Sequence, residues 1–154
     1  MNVSVLEQAK IQALVLVPLI KALQAELGEE HANSIVRRAL GDVFRSLGAK
    51  WWRARDSDNV GENVASAFEK YAAEGALTYE VREQSQDTFE FDVTECRYAQ
   101  FYKELGAPEL GFLLVCSADF QVTEGFGPDI ELQRTQTIMQ GASRCDFRYR
   151  RHKT

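Results

Sequence analysis

Leu77-Thr-Tyr-Glu-Val-Arg82 and Phe89-Glu-Phe-Asp-Val-Thr94 are the stretches in which the hydrophobic period of this chain changes from near 3.6 to 2. Leu77, Tyr79 and Val81 alternate with Thr78, Glu80 and Arg82. After the polar turn 83–87, Phe89, Phe91 and Val93 alternate with Glu90, Asp92 and Thr94. Strict alternation on both sides of a short polar turn predicts an antiparallel hairpin with one buried face.

Upstream of the hairpin the pattern is helical. Val5, Leu6, Ala9, Leu14, Val17, Leu23 and Leu27 predict a first helix over 5–27, stopped by Gly28 and kinked or split at Pro18. Ile35, Val36, Ala39, Leu40, Val43, Phe44 and Leu47 predict a second over 30–47, closed by Gly48. Trp51-Trp52 and the charges after them read as a connector that lays its indoles on the protein. Asp58 or Asn59 can cap a third helix, to Glu74, with Val64, Phe68 and Tyr71 on its buried side.

Downstream, Tyr98, Phe101, Tyr102 and Leu105 predict a short helix ended by Gly106. Pro108-Glu109 opens another, running to about Glu124 and broken by Gly125-Phe-Gly-Pro128. A last hairpin is predicted from strands near 129–138 and 144–150, with a turn at 140–143. A four-residue turn pairs Ile138 with Cys145, Gln136 with Phe147, and Arg134 with Tyr149. Arg134 and Gln136 then interrupt an inward apolar face, as in a lined cavity. The fold class is α+β: a helical N-terminal part (1–75) packed on an antiparallel sheet of about four strands from two hairpins, with 76–154 forming the pocket and 1–154 a single domain.

The 154 residues carry a net charge of −5, with 45% hydrophobic and 27% charged residues, which describes an ordinary globular protein. That charge offers no general attraction to nucleic acid or to an anionic membrane, so a small-molecule partner is expected; a homo-oligomer is left open. The longest apolar run, 13–20, contains Pro18 and is far short of the ~20 residues a membrane span needs. Glu7 stands where a signal peptide would be basic, so a cytoplasmic location is expected. Three cysteines with no CxxC or HxxxH spacing are expected as free thiols, with no metal and no cofactor. His31, in the first turn of the second helix, reads as solvent-facing.

The residues that carry chemistry fall late in the chain. Cys116 and Asp119 are three apart, one turn on one helix face. An aspartate on a face with Leu113 and Phe120 is costly to bury without a partner or a task. Cys145 is expected opposite them, Glu95 and Cys96 at the rim, and Arg134 as the grip for a substrate carboxylate, with Gln136 and Thr137 beside it. Each has a plainer role: a packed thiol, a cap, an ion pair.

Glu95-Cys96, Leu105-Gly-Ala-Pro-Glu109, Cys116 with Asp119, Gly125-Phe-Gly-Pro128, Arg134-Thr-Gln-Thr137, Gly141 and Cys145-Asp-Phe-Arg148 together resemble the L-2-amino-thiazoline-4-carboxylic acid hydrolase-like family. The resemblance is close over about sixty C-terminal residues. It implies a ring-opening hydrolase: water adds to the amidine-type C2 of a cyclic isothiourea, the carbon–sulfur bond breaks, and an N-carbamoyl cysteine results. Catalysis would fall to Cys116, Asp119, Cys145 and Glu95, with either a thiolate or an Asp119-activated water attacking. The closing hairpin is also similar to that of 4-vinyl reductase-type sensing domains, which hold zinc; Arg134 and Thr137 replace the Glu and Cys of that pattern, and only Cys145 matches. A non-catalytic binding or sensory role, with or without zinc, is the alternative.

Overall fold

A computed structural model describes residues 2–152. Six helices and four strands follow in order: α1 (Val5–Leu27), α2 (Glu29–Arg53), α3 (Val60–Ala72), β1 (Leu77–Gln84), β2 (Thr88–Cys96), α4 (Arg97–Glu104), α5 (Pro108–Gly111), α6 (Ala118–Phe126), β3 (Ile130–Gln133) and β4 (Cys145–Arg151). The sheet is antiparallel, in the order β1-β2-β4-β3, so the two hairpins join through β2 and β4. The architecture is the α+β arrangement expected, a helical first half and a four-stranded sheet.

Local chemistry sets the helix ends. The Ser4 hydroxyl accepts from the Glu7 N–H at 3.2 Å, and the Asn59 side chain from the Glu62 N–H at 3.0 Å. Gly28, with φ +84°, lets the chain turn between α1 and α2, where a side chain would be strained. Pro18 lies inside an unbroken α1.

Several other expectations need correction. Gly48 does not close α2, which runs on to Arg53 and takes Trp51 and Trp52 into its last turn. The glycine serves a crossing instead: a Cβ at Gly48 would stand 2.0 Å from the Val122 carbonyl oxygen, and one at Gly125 would stand 2.2 Å from that of Arg45. Small residues at both contacts let α2 and α6 approach backbone to backbone. Gly125 accordingly lies within α6, and the break comes at Gly127.

The 108–124 helix is in three parts. Between α5 and α6, Phe112–Cys116 is a π-helical turn, with the Ser117 N–H donating to the Phe112 carbonyl at 2.8 Å. The buried residues Leu110, Leu114, Ala118, Val122 and Phe126 recur every fourth position. In a regular helix such a stripe would creep by about 40° per step. The π-turn absorbs an extra residue and brings Ala118, Val122 and Phe126 back to the interior.

The last hairpin is shorter than expected and paired differently. β3 ends at Gln133, and Leu132, not Arg134, faces Tyr149. The cause is Asp146, whose carboxylate accepts from the backbone N–H groups of Thr135 (2.8 Å) and Gln136 (3.0 Å) and from the Thr135 hydroxyl. Those donors are lost to the ladder, and the chain leaves the sheet into a short 3₁₀ turn at Ile138–Gln140. The offset is two residues, so side-chain parity survives and Arg134 still points inward.

The inner face of the sheet is aromatic. Phe91 and Phe147, paired across β2 and β4, stack at 4.8 Å, and Phe68 of α3 lies 4.2 Å from Phe91. With Val64, Val122, Phe126, Leu132 and Tyr149 they form one core cluster; a second joins α1 to α4, α5 and the π-turn.

Candidate active site

Three elements bring the site together. α6 supplies Asp119 in its first turn, the π-turn supplies Cys116, and the segment after β3 supplies Arg134. The Arg134 Nη1 donates to Asp119 Oδ2 at 2.7 Å and to the Cys116 carbonyl at 3.2 Å. Its guanidinium lies between two rings, 4.9 Å from the centroid of Phe120 and 5.2 Å from that of Phe147. The Arg134 side chain is 2% exposed. A cation so enclosed needs a counter-charge and aromatic faces, and it has both.

Asp119 is a quarter exposed and lines a cavity of about 20 Å³ among Trp51, Val64, Phe68, Tyr71, Phe126 and Tyr149, room for roughly one water. Burial therefore dominates over the attraction of Arg134, and the carboxyl is pushed up to about 6. The carboxylate holds Arg134 through Oδ2, and among the described residues Oδ1 has no hydrogen-bond partner.

The cysteines gather around this pair as neutral thiols. Burial raises Cys116 well above its ordinary value, with the Asp119 charge adding to the effect. Burial takes Cys145 up to about 11, against the pull of the Ile138 N–H on its sulfur at 3.2 Å. Cys96 is raised by burial too, although its sulfur caps α4 by accepting from the Ala99 N–H at 3.4 Å. All three are free. No three His, Cys, Asp or Glu side chains among the described residues come together as a metal-holding group.

The remaining residues singled out in the sequence lie apart or are engaged locally. Glu95 is exposed near the end of β2, accepting from the Thr78 hydroxyl at 3.3 Å. Gln136 gives its backbone N–H to Asp146. Thr137 is buried, and its hydroxyl caps the 3₁₀ turn by accepting from the Gln140 N–H at 3.2 Å.

Sequence reasoning missed the cavity wall and a cleft. Trp51 reaches the cavity because α2 continues past Gly48. Tyr71, expected on the buried side of α3 with Val64 and Phe68, lines the same cavity as Asp119. A larger cleft of about 500 Å³ opens on the other flank of α6, lined by Phe120, Thr123, Glu124, Pro128, Leu132 and the Glu131–His152 pair at 3.0 Å. Phe120 was expected inside but is 37% exposed, standing between that cleft and Arg134.

These features define an α+β protein with a carboxylic acid of raised pKa and a sheltered cation beside a water-sized space. The family model for L-2-amino-thiazoline-4-carboxylic acid hydrolase matches residues 8–149, and the chain belongs to that family. No curated protein matches it. Among solved structures, the crystal structure of an Fe(II) unliganded H-NOX protein from K. algicida is similar over 90% of this chain and 72% of that one, at 14% identity and a TM-score of 0.39. A likeness of that level says nothing about chemistry. No helix among the described residues is long and apolar enough to cross a membrane.

Proposed function

We propose that the protein is a hydrolase that opens a small 2-aminothiazoline-carboxylate-like ring by adding water to its amidine-type C2 carbon, with Asp119 as the base. The observation that carries the reading is the position of Asp119: its carboxylate holds Arg134 through Oδ2, and the residue lines a space for one water. A base of pKa near 6 is largely ionised at neutral pH yet more basic than an ordinary carboxylate, which suits proton abstraction from water.

The thiols suit nucleophilic attack poorly. A thiol raised by burial is almost wholly protonated at pH 7, and only the thiolate attacks. Of the two routes open from the sequence, an activated water is therefore favoured over a Cys116 thiolate. Asp119 removes a proton as the water oxygen bonds to C2. The carbon–sulfur bond then breaks, the ring nitrogen keeps one proton of the water, the departing sulfur receives the other, and an N-carbamoyl cysteine is released. Arg134 keeps Asp119 oriented and carries the positive charge that a substrate carboxylate would meet. The substrate is a small molecule, the reaction needs no cofactor, and the thiols of Cys96, Cys116 and Cys145 stay protonated and take no part in the attack.

Thiol release from 2-aminothiazoline-4-carboxylate by the wild type, Cys116→Ala and Asp119→Asn tests this. The expected result is turnover in the first two and its loss in the third. Turnover abolished in Cys116→Ala, with the fold intact, would return the attack to the thiolate. No thiol release from this or related heterocycles would leave the non-catalytic binding role.

A further inference from the structure

The cavity beside Asp119 is too small for a five-membered ring, and the sheltered face of Arg134 points elsewhere. Both described hydrogen bonds of that guanidinium run through Nη1. Its Nε and Nη2 therefore keep donors for a second acceptor, in the forked geometry that grips a carboxylate. One of the two rings enclosing the group is Phe147, deep in the core. The other is Phe120, which is part of the wall of the 500 Å³ cleft between α6 and β3. Behind a single partly exposed ring lies a cation with spare donors; in front of it lies the one large hollow described on this side of the molecule.

We infer that this cleft is the binding site for the carboxylate end of the substrate and that Phe120 is the wall that swings aside to expose Arg134. The inference rests on the hydrolase reading for the identity of the ligand. The two carboxylates on the rim are each engaged elsewhere, Glu131 with His152 at 3.0 Å and Glu124 with Arg45 at 3.0 Å. Thr123, deeper in the cleft, is fixed by its hydroxyl donating to the Asp119 carbonyl at 2.6 Å, so the floor of the cleft is tied to the helical turn that carries the base. A ligand held on Nε and Nη2 leaves the Asp119–Arg134 contact intact. Phe120 is here a positioning residue, acting through Arg134.

A closed wall lowers apparent affinity by the fraction of time the site is open. Shrinking it must therefore tighten binding, which loss of a merely structural ring cannot do. The probe is thiazolidine-4-carboxylate, which has the ring and carboxylate but no amidine carbon to hydrolyse, set against thiazolidine, which lacks the carboxylate. Both are titrated into the full ¹⁵N-labelled chain and followed by NMR. The carboxylate is expected to shift the Arg134 Nε–H and the amides of Phe120, Thr123 and Leu132, and thiazolidine to leave them in place. Phe120→Ala is expected to lower Kd by about fivefold and Phe120→Trp to raise it. Shifts centred on Trp51 and Tyr71, no shifts at all, or weaker binding in Phe120→Ala overturn the inference. Because the probe cannot turn over, cleft binding without ring opening of the aminothiazoline would sink only the hydrolase reading. Ring opening without cleft binding would sink only this one.

Discussion

Two aspartates face opposite sides of the same molecule, and each is paired with arginine. Asp92, in the middle of β2, points to the outer face of the sheet and is 2% exposed. What covers it is a pair of arginine side chains: Arg82 Nε and Arg148 Nη2 each lie 2.8 Å from its carboxylate. Burial pushes its pKa up, but the hydrogen bonds of Arg148 and Arg82 outweigh this and hold it below the ordinary range. Asp119 has one arginine and, on its other side, aromatic rings and a near-empty space, and burial prevails. The number of donors on the carboxylate decides which aspartate is a permanently charged strut and which can exchange a proton near neutrality.

The contrast is broken most decisively by activity. Asp119→Asn should cut kcat by roughly 10²–10⁴, the usual worth of a general base, while Asp92→Asn, measured alongside by thiol release, should stay within about twofold of any loss explained by stability. Equal losses in both would dissolve the distinction.

Stability comes next. At pH 7 Asp119→Asn should cost little in urea denaturation, about 1 kcal/mol or less, because burial already disfavours the charge that the substitution removes. Arg134→Met should cost more, about 3–5 kcal/mol, because it leaves the Asp119 carboxylate enclosed without its cation. On the outer face Arg82, half-exposed, should be worth about 1 kcal/mol or less, because water can replace it and Arg148 remains.

The two residues should also differ in the sign of their pH dependence. The depressed Asp92 contributes stability that is present above its unfolded value and lost as pH falls through its folded pKa. The raised Asp119 does the reverse: its protonated form favours the fold, so its contribution is present below 3.8 and lost as pH rises through about 6. Urea midpoints from pH 7 to 3 should therefore fall less steeply on acidification in Asp92→Asn than in the wild type. A steeper fall would contradict the assignment.

Much of this was legible in the chain. The switch of period at Leu77 placed the sheet, and the spacing of Cys116 and Asp119 put a thiol and a carboxylate on one turn. The misread positions share a cause: the decisive contact was distant in sequence. Gly48 looks like a helix stop because glycine usually is one; only the backbone of Val122, brought in by the fold, makes it a crossing point. Asp146 looks like one more polar strand residue, and nothing local reveals that it strips donors from Thr135 and Gln136 and ends β3. Arg134 was visible as a polar residue on an inward face, but its ion pair with Asp119 spans fifteen residues and a π-turn that no periodicity announces.

The sharpest test is the pH dependence of kcat/KM for ring opening of 2-aminothiazoline-4-carboxylate. The rate should rise with pH through a single acid limb near 6, as Asp119 loses its proton. In Arg134→Met the limb should move upward, since the cation that opposes burial is gone. A limb near 4, or one that rises only above pH 8 as a thiol would, contradicts Asp119 as the base.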